Sequence, residues 1–238
     1  MSVLLLQLAG PLQSWGAASR FARRSTEAAP TKSGAIGLLA AALGRQRCDD
    51  VSDLVALRFG VRADQPGTLL RDYHTTQRFT GESLPVSERY YLADAVFVVA
   101  VEGDSQLIEQ LHQAVRDPVF LPYLGRRSCP PARRLELGVE HDKALEEALK
   151  EQKWHAAYWY QRRHRRQPAI RLNILLEAIA EDGPTDTLRD QPISFDPRHR
   201  QYALRGIRQT WTEVPNPAAD SFTATRPNHD PTALLGGA

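Results

Sequence analysis

An α+β fold is predicted by three features of the chain. Short apolar segments with strand periodicity recur along it. Two amphipathic helical segments lie between them. The order across residues 1–140 is strand, helix, strand, strand, helix, strand.

Val3 to Ala9 is apolar and stops at Gly10-Pro11, which marks a first strand ended by a turn. Ser33 can cap a helix that runs to about Leu43. Ile36, Leu39, Ala40 and Leu43 fall on one face, and Gly44 can end it. Leu57, Phe59 and Val61 alternate with Arg58, Gly60 and Arg62 as a second strand. Leu69 to Tyr73 and Tyr90 to Val101 read as strands around the polar stretch Thr75 to Glu88, a protruding hairpin or loop. Asp104 or Ser105 caps a second helix, with Leu107, Ile108, Leu111, Ala114 and Val115 inward and Pro118 as its stop. Leu135, Leu137 and Val139 alternate as a further strand. This order is the split βαβ, ferredoxin-like pattern, which also underlies the RRM with its RNA-binding open sheet face.

The second half is sparser in signals. Asp142 to Lys150 reads as a short helix with a Glu146–Lys150 pair at i,i+4. Ile170 to Ile179 and Tyr202 to Val214 read as strands. Residues 215–238 are rich in Pro, Ala, Asn and Asp and read as a flexible tail. The expected organisation is therefore a palm over residues 1–140 with a hairpin around 75–88, a β-rich region over 141–214, and the tail.

Composition excludes several classes. The chain has 238 residues, 42% hydrophobic and 24% charged, a globular mixture unlike disordered or collagen-like sequences. Its longest apolar run, Ala35 to Leu43, is too short to span a bilayer. Met1 to Gln7 lacks a basic n-region and a small-residue cleavage site, so no signal peptide is expected. Cys48 and Cys129 form no CxxC pair and no disulfide framework, which favours a reducing, cytoplasmic setting. The seven histidines show no metal-ligand spacing, and neither metal nor cofactor is expected. Net charge is only +2, but the basic set is 26 arginines and 4 lysines. Arginine's planar fork suits phosphate and stacks on bases. A GC-rich genome explains the same excess, so placement matters more than number.

Four segments carry candidate chemistry. In the first, Gly10-Pro11-Leu12-Gln13-Ser14-Trp15-Gly16 leads through Arg20, Arg23 and Arg24 into Pro30-Thr31-Lys32-Ser33-Gly34. A basic loop there feeds a helix start, where free N–H groups, Lys32 and the Ser33 hydroxyl can hold a phosphate. The GxxxxGK[ST] order is missing, so nucleotide hydrolysis is not expected, and an ordinary capped helix accounts for the same residues. The second is Pro122-Tyr123-Leu124-Gly125-Arg126-Arg127-Ser128-Cys129-Pro130-Pro131. Gly125 permits close backbone approach, Arg126 and Arg127 supply two forks, and the prolines stiffen the loop. A solubilising arginine pair is the bland alternative.

The third segment is Leu70-Arg71-Asp72-Tyr73-His74-Thr75. Tyr73 and His74 can stack on bases, Arg71 can meet a phosphate, and His74 can serve as acid or base in RNA cleavage. A strand end with an internal Arg71–Asp72 interaction explains them equally. The fourth runs from Trp154 to Arg166. From Lys153 to Leu176 there are six basic residues and no acidic one. Aromatics beside arginines suit a stacking platform, a core segment entering a basic turn, or an acidic protein partner.

Four motifs taken in chain order, Gly10 to Gly16, Pro30 to Gly34, Leu70 to Thr75 and Pro122 to Pro130, together resemble the CasD family of type I-E CRISPR Cascade subunits, within the RAMP superfamily, over residues 1–140. The resemblance implies a ferredoxin-like palm, a β-hairpin thumb after the third segment and a β-rich C-terminal extension. It also implies a non-catalytic CRISPR RNA-binding subunit that holds the 5′ handle of crRNA and caps the backbone filament. The partners it implies are the crRNA, the Cascade backbone subunit and the Cascade large subunit, with target DNA reached through the complex and no membrane. The candidate RNA-binding residues are Gln13, Trp15, Arg20, Arg23, Arg24, Lys32, Ser33, Arg71, Tyr73, His74, Arg78, Gly125, Arg126, Arg127 and Ser128. Arg78 is the one clearly basic residue of the expected thumb, Thr75 to Glu88. Two alternatives remain. One is a metal-independent endoribonuclease in which His74 or Tyr73 activates the 2′-hydroxyl and Lys32 or an arginine stabilises the phosphorane. The other is a purely structural cap whose arginines face proteins.

Overall fold

Strand β1 (Ser2–Ala9) is buried at every residue, because it lies inside a sheet covered on both faces. The computed structural model describes residues 1–16, 23–183 and 185–220. After β1 the chain forms β2 (Leu12–Gln13), β3 (Arg23–Arg24), α1 (Lys32–Ala42), α2 (Ser52–Val55), β4 (Arg58–Gln65), β5 (Thr68–His74), β6 (Ser87–Ala93) and β7 (Val96–Gly103). It continues with α3 (Ser105–Arg116), β8 (Glu136–His141), α4 (Leu145–Glu151), α5 (Tyr158–Arg163), β9 (Ala169–Glu177), β10 (Asp186–Ser194) and β11 (Gln201–Pro215).

The architecture is α+β. An antiparallel sheet of seven strands runs in the order β10-β11-β9-β4-β7-β1-β8. Strand alternation divides its side chains between two cores. Leu4, Leu6 and Leu8 join Phe59, Phe97 and Val99 under α1 and α3, where Ile36, Leu39, Ile108 and Leu111 pack. Val3, Leu5, Val98 and Ala100 face the other way, onto Leu145, Ala148 and Leu149 of α4. The sheet face that an RRM leaves open is therefore closed by a helix here.

Two buried ionic knots tie the second half of the chain to the first. Arg62 and Asp64, both on β4 and buried, pair through Nε and Oδ1 at 2.7 Å. The Arg62 guanidinium also donates to the carbonyls of Leu149, Gln152 and Lys153, closing the end of α4. The second knot lies at the start of α1. Asp190 accepts the Lys32 backbone N–H at 2.8 Å and pairs with both Nε and Nη2 of Arg205.

Several sequence expectations need correction. Tyr90 to Val101 is not one strand. Asp94 takes a left-handed φ of 56°, so β6 and β7 part into different sheets. In the second sheet β6 is central, with β5 along one edge and β2 and β3 along the other. The hairpin is longer than residues 75–88. Its ladder starts at Thr68↔Ala93, a bridge joins Gln77 to Ser83, and the tip turns at Gly81, φ +83°. The cap of α1 is Thr31, whose hydroxyl accepts the Gly34 N–H, with Ser33 inside the first turn. Residues 215–220, expected to belong to the tail, are held against the fold. Asn216 is buried and its Nδ2 donates to the carbonyls of Gln161, His164 and Gln167, while Asp220 pairs with Arg165. Residues 221–238 lie outside the described residues. Strand β10 and helix α5 have no counterpart among the elements expected from the sequence.

Candidate nucleic-acid interface

Trp15 is fully buried and ties both halves of the first candidate segment to the second. Its indole Nε1 donates to Gln13 Oε1 at 3.1 Å, and Gln13 Nε2 donates to the carbonyls of Leu8 and Ala95. The ring lies against Gly34, where an added Cβ would come within 2.7 Å of Trp15 Cε3. On the other side Ser14 N–H donates to the Leu124 carbonyl. Gly125 there has φ +82°, and a Cβ on it would fall 1.8 Å from the Ser14 carbonyl oxygen. Segments far apart in sequence are thus locked together by one indole and two glycines. Gln13 and Trp15, expected to touch RNA, have no surface with which to do so, and every side-chain polar atom of the pair already has a partner inside the protein.

The expected phosphate site at the start of α1 is also overturned. The Asp190 carboxylate already accepts the Lys32 N–H. Lys32 is buried, and its Nζ donates to both Glu177 oxygens at 2.9 and 3.0 Å. Burial pulls the Lys32 ammonium below the usual lysine range, and the Glu177 carboxylate works against that pull. Ser33 is buried with its hydroxyl 3.4 Å from that of Thr31. An anionic side chain from the far end of the chain has taken the place assigned to a ligand. Neither Asp190 nor Glu177 carries a local signal that reveals this.

The hairpin surface is different. The β5–β6 register places Arg71 and Tyr73 on one face with Glu88 and Tyr90, and the parallel β3–β6 register adds Arg23 to it. Arg23 lies 5.3 Å from the Tyr90 ring centroid and Arg71 lies 4.7 Å from that of Tyr73. Tyr73 is 57% exposed. Glu88 is the carboxylate in this group. It accepts from Arg71 Nη2 at 2.6 Å and from the Tyr90 hydroxyl at 3.2 Å. An exposed pair of this kind holds its arginine weakly, so a phosphate can replace the carboxylate.

The opposite face of the hairpin carries Tyr91, Arg89, Asp72 and His74, with Arg24 beside Arg89. Arg126 closes over the Tyr91 ring at 4.6 Å, and its Nη2 donates to the Arg24 carbonyl at 3.0 Å. This brings the glycine-arginine loop against the hairpin. A tight turn in which Cys129 N–H donates to the Arg126 carbonyl leaves Gly125, Arg127 and Ser128 exposed and Cys129 buried. Burial pushes the Cys129 thiol up, so it is not poised as a nucleophile. His74 Nε2 sits 2.6 Å from Asp72 Oδ2.

Of the residues selected from sequence, Arg23, Arg24, Arg71, Tyr73, His74 and Arg126 come together on or around one hairpin, with Arg127 and Ser128 adjoining. Arg78 sits near the hairpin tip and pairs with Glu82. Arg20 lies outside the described residues. Tyr90, Tyr91 and Arg89 join them on the hairpin faces without being among the residues selected from sequence. Their alternation in Glu88-Arg89-Tyr90-Tyr91 is visible in the sequence, but without the register it cannot be assigned to faces.

Residues 3–208 match the family described as CRISPR-associated protein (Cas_Cas5). The CRISPR system Cascade subunit CasD of Escherichia coli strain K12 is 43% identical over 160 residues, covering 58% of this chain and 71% of its own. A solved structure described as a Cas protein superposes with a TM-score of 0.69 at 38% identity, covering 91% of this chain and 97% of its own. A chain of a CRISPR RNA-guided surveillance complex superposes with a TM-score of 0.72 at 35% identity, covering 90% of this chain and 91% of its own. With the match running from Val3 to Arg208, the chain belongs to the Cas5 family of CRISPR-associated proteins.

Proposed function

We propose that this protein is a non-enzymatic RNA-binding subunit of a Cascade surveillance complex. It holds the 5′ handle of crRNA and caps the backbone filament, next to the backbone and large subunits. The strand order β4-β7-β1-β8, with α1 and α3 on one face, serves as its ferredoxin-like palm, and the β5–β6 hairpin serves as the thumb. The observation that carries this reading is the exposed cation–aromatic face of the hairpin, Arg23 with Tyr90 and Arg71 with Tyr73, flanked by the Arg126-Arg127 loop. Rings offer stacking to unpaired bases, and arginine forks reach phosphates. Phosphate contacts set affinity and orientation; base contacts set sequence preference.

The test is binding of synthetic handle RNA across a salt series. A single-strand clamp has a log–log salt slope of roughly −0.7 per phosphate contact. Arg126→Ala with Arg127→Ala weakens binding and flattens that slope. Unchanged binding and assembly in the double variant would remove the loop from the interface.

One observation supports the rival endoribonuclease, the short His74–Asp72 contact, which is suited to orienting an imidazole base. The lysine assigned to that mechanism is committed to Glu177 in the interior. Incubation of the protein with labelled repeat RNA in EDTA separates the readings. Specific cleavage that disappears in His74→Ala would establish the nuclease.

A further inference from the structure

We propose a second site for single-stranded nucleic acid on the uncovered face of β9 and β11, leading to the basic turn at the start of β9. Register places Ala169, Arg171 and Asn173 beside Pro215, Glu213 and Trp211, and all six are exposed. The alternate residues Ile170, Leu172 and Val214 pack with Trp154 on the far side, so the strands are anchored and their outer face is free. Across it the Arg171 guanidinium lies 4.0 Å from the Trp211 ring centroid, and Trp211 is 46% exposed. An open sheet with a tryptophan beside a flat cation is a surface on which a base can stack. Asn173 and the exposed Gln209 add amides that can meet base edges.

The phosphate-binding half lies at the Ala169 end. Arg162, Arg163, Arg165 and Arg166 are exposed on α5 and the following turn. Arg165 pairs with Asp220; among the described residues the other three have no carboxylate within ion-pair distance. The turn is held in shape, because Asn216 binds the carbonyls of Gln161, His164 and Gln167. Among the described residues these four arginines and Arg171 have one ion-pair partner, Asp220, and Glu213 stands opposite Arg171 in the β9–β11 register. That charge favours a polyanion, and the stack favours one with unpaired bases. An acidic protein segment would answer the arginines and leave the Trp211–Arg171 stack unused. RNA and DNA share the chemistry that the site recognises. The elements involved are separate from β3, β5 and β6, so this surface is independent of the hairpin platform.

The test uses the full chain and fluorescent oligo(U) and oligo(dT) of about a dozen nucleotides, near the upper range of a single-strand site. Arg71→Ala with Tyr73→Ala serves as the background, which weakens the hairpin contribution. On it, Trp211→Ala with Arg171→Gln should lower affinity about tenfold, and Trp211→Phe should keep most of it. Arg162→Gln with Arg166→Gln should flatten the salt slope by about 0.7 for each phosphate no longer bound. Bromouracil photocrosslinks on wild type should map to residues 162–173 or 209–213. The relative loss on oligo(U) and oligo(dT) identifies which nucleic acid uses the site. Variants with unchanged circular dichroism that bind like the background overturn the proposal, as do crosslinks confined to the hairpin. Loss of a co-expressed protein subunit with intact oligonucleotide binding also overturns it, in favour of a protein interface.

Discussion

Asp190 binds Lys32 across 158 positions of sequence, accepting its backbone N–H at 2.8 Å at the first turn of α1. The same carboxylate takes both donors of Arg205, at 2.8 and 2.7 Å. One buried anion therefore satisfies a helix start and neutralises a buried guanidinium, and it fastens β10 and β11 to α1.

Asp190→Ala leaves Arg205 buried and unpaired, a change that costs about 3–5 kcal/mol in comparable sites. The expected result is a lower urea midpoint with an unchanged slope. A midpoint equal to wild type would mean that water replaces the carboxylate without loss.

Trp15 and Tyr73 should respond in opposite ways. Trp15→Ala opens a cavity among Gln13, Gly34 and the Gly125 loop, at a cost of about 3–5 kcal/mol, and RNA binding falls only because the fold does. Tyr73→Ala leaves the melting temperature nearly unchanged and lowers handle affinity several-fold or more, as expected for loss of a stacking ring. Melting curves and titrations on both variants separate scaffold from contact surface.

Gly125→Ala introduces a side chain at φ +82°, with its Cβ 1.8 Å from the Ser14 carbonyl oxygen. The left-handed strain alone is about 1–2 kcal/mol, and the backbone clash adds to it. Faster amide exchange over residues 122–130 is the expected sign, together with weaker RNA binding as Arg126 leaves Tyr91. Protection equal to wild type would show that the loop accommodates a methyl group.

His155 sets a pH dependence. Burial pulls its imidazole below the ordinary histidine value of 6.5. The unfolded chain thus takes up the proton first as pH falls, and it binds more protons than the native state in the window just below 6.5. Stability is full above that value and declines as pH drops through the window. Denaturation midpoints of wild type should fall from pH 7 to 5.5, and His155→Gln should flatten that decline. Parallel profiles would assign the slope to other groups.

Local signals in the sequence determined the β1, α1, β4, α3 and β8 core. Each has an apolar period that one element can satisfy by itself, as Leu4, Leu6 and Leu8 do along β1. The same signals picked out Arg71, Tyr73 and Arg126, because a run of donors and rings is visible without knowing its neighbours. What tertiary structure alone decided is which polar residues face inward. Lys32, Ser33, Gln13 and Trp15 read as ligand contacts until Asp190, Glu177, Gly34 and Gly125 arrive from elsewhere in the chain and close over them. A buried polar group is stable only when a partner meets it, and that partner is set by folding across the whole chain, at distances no local pattern records.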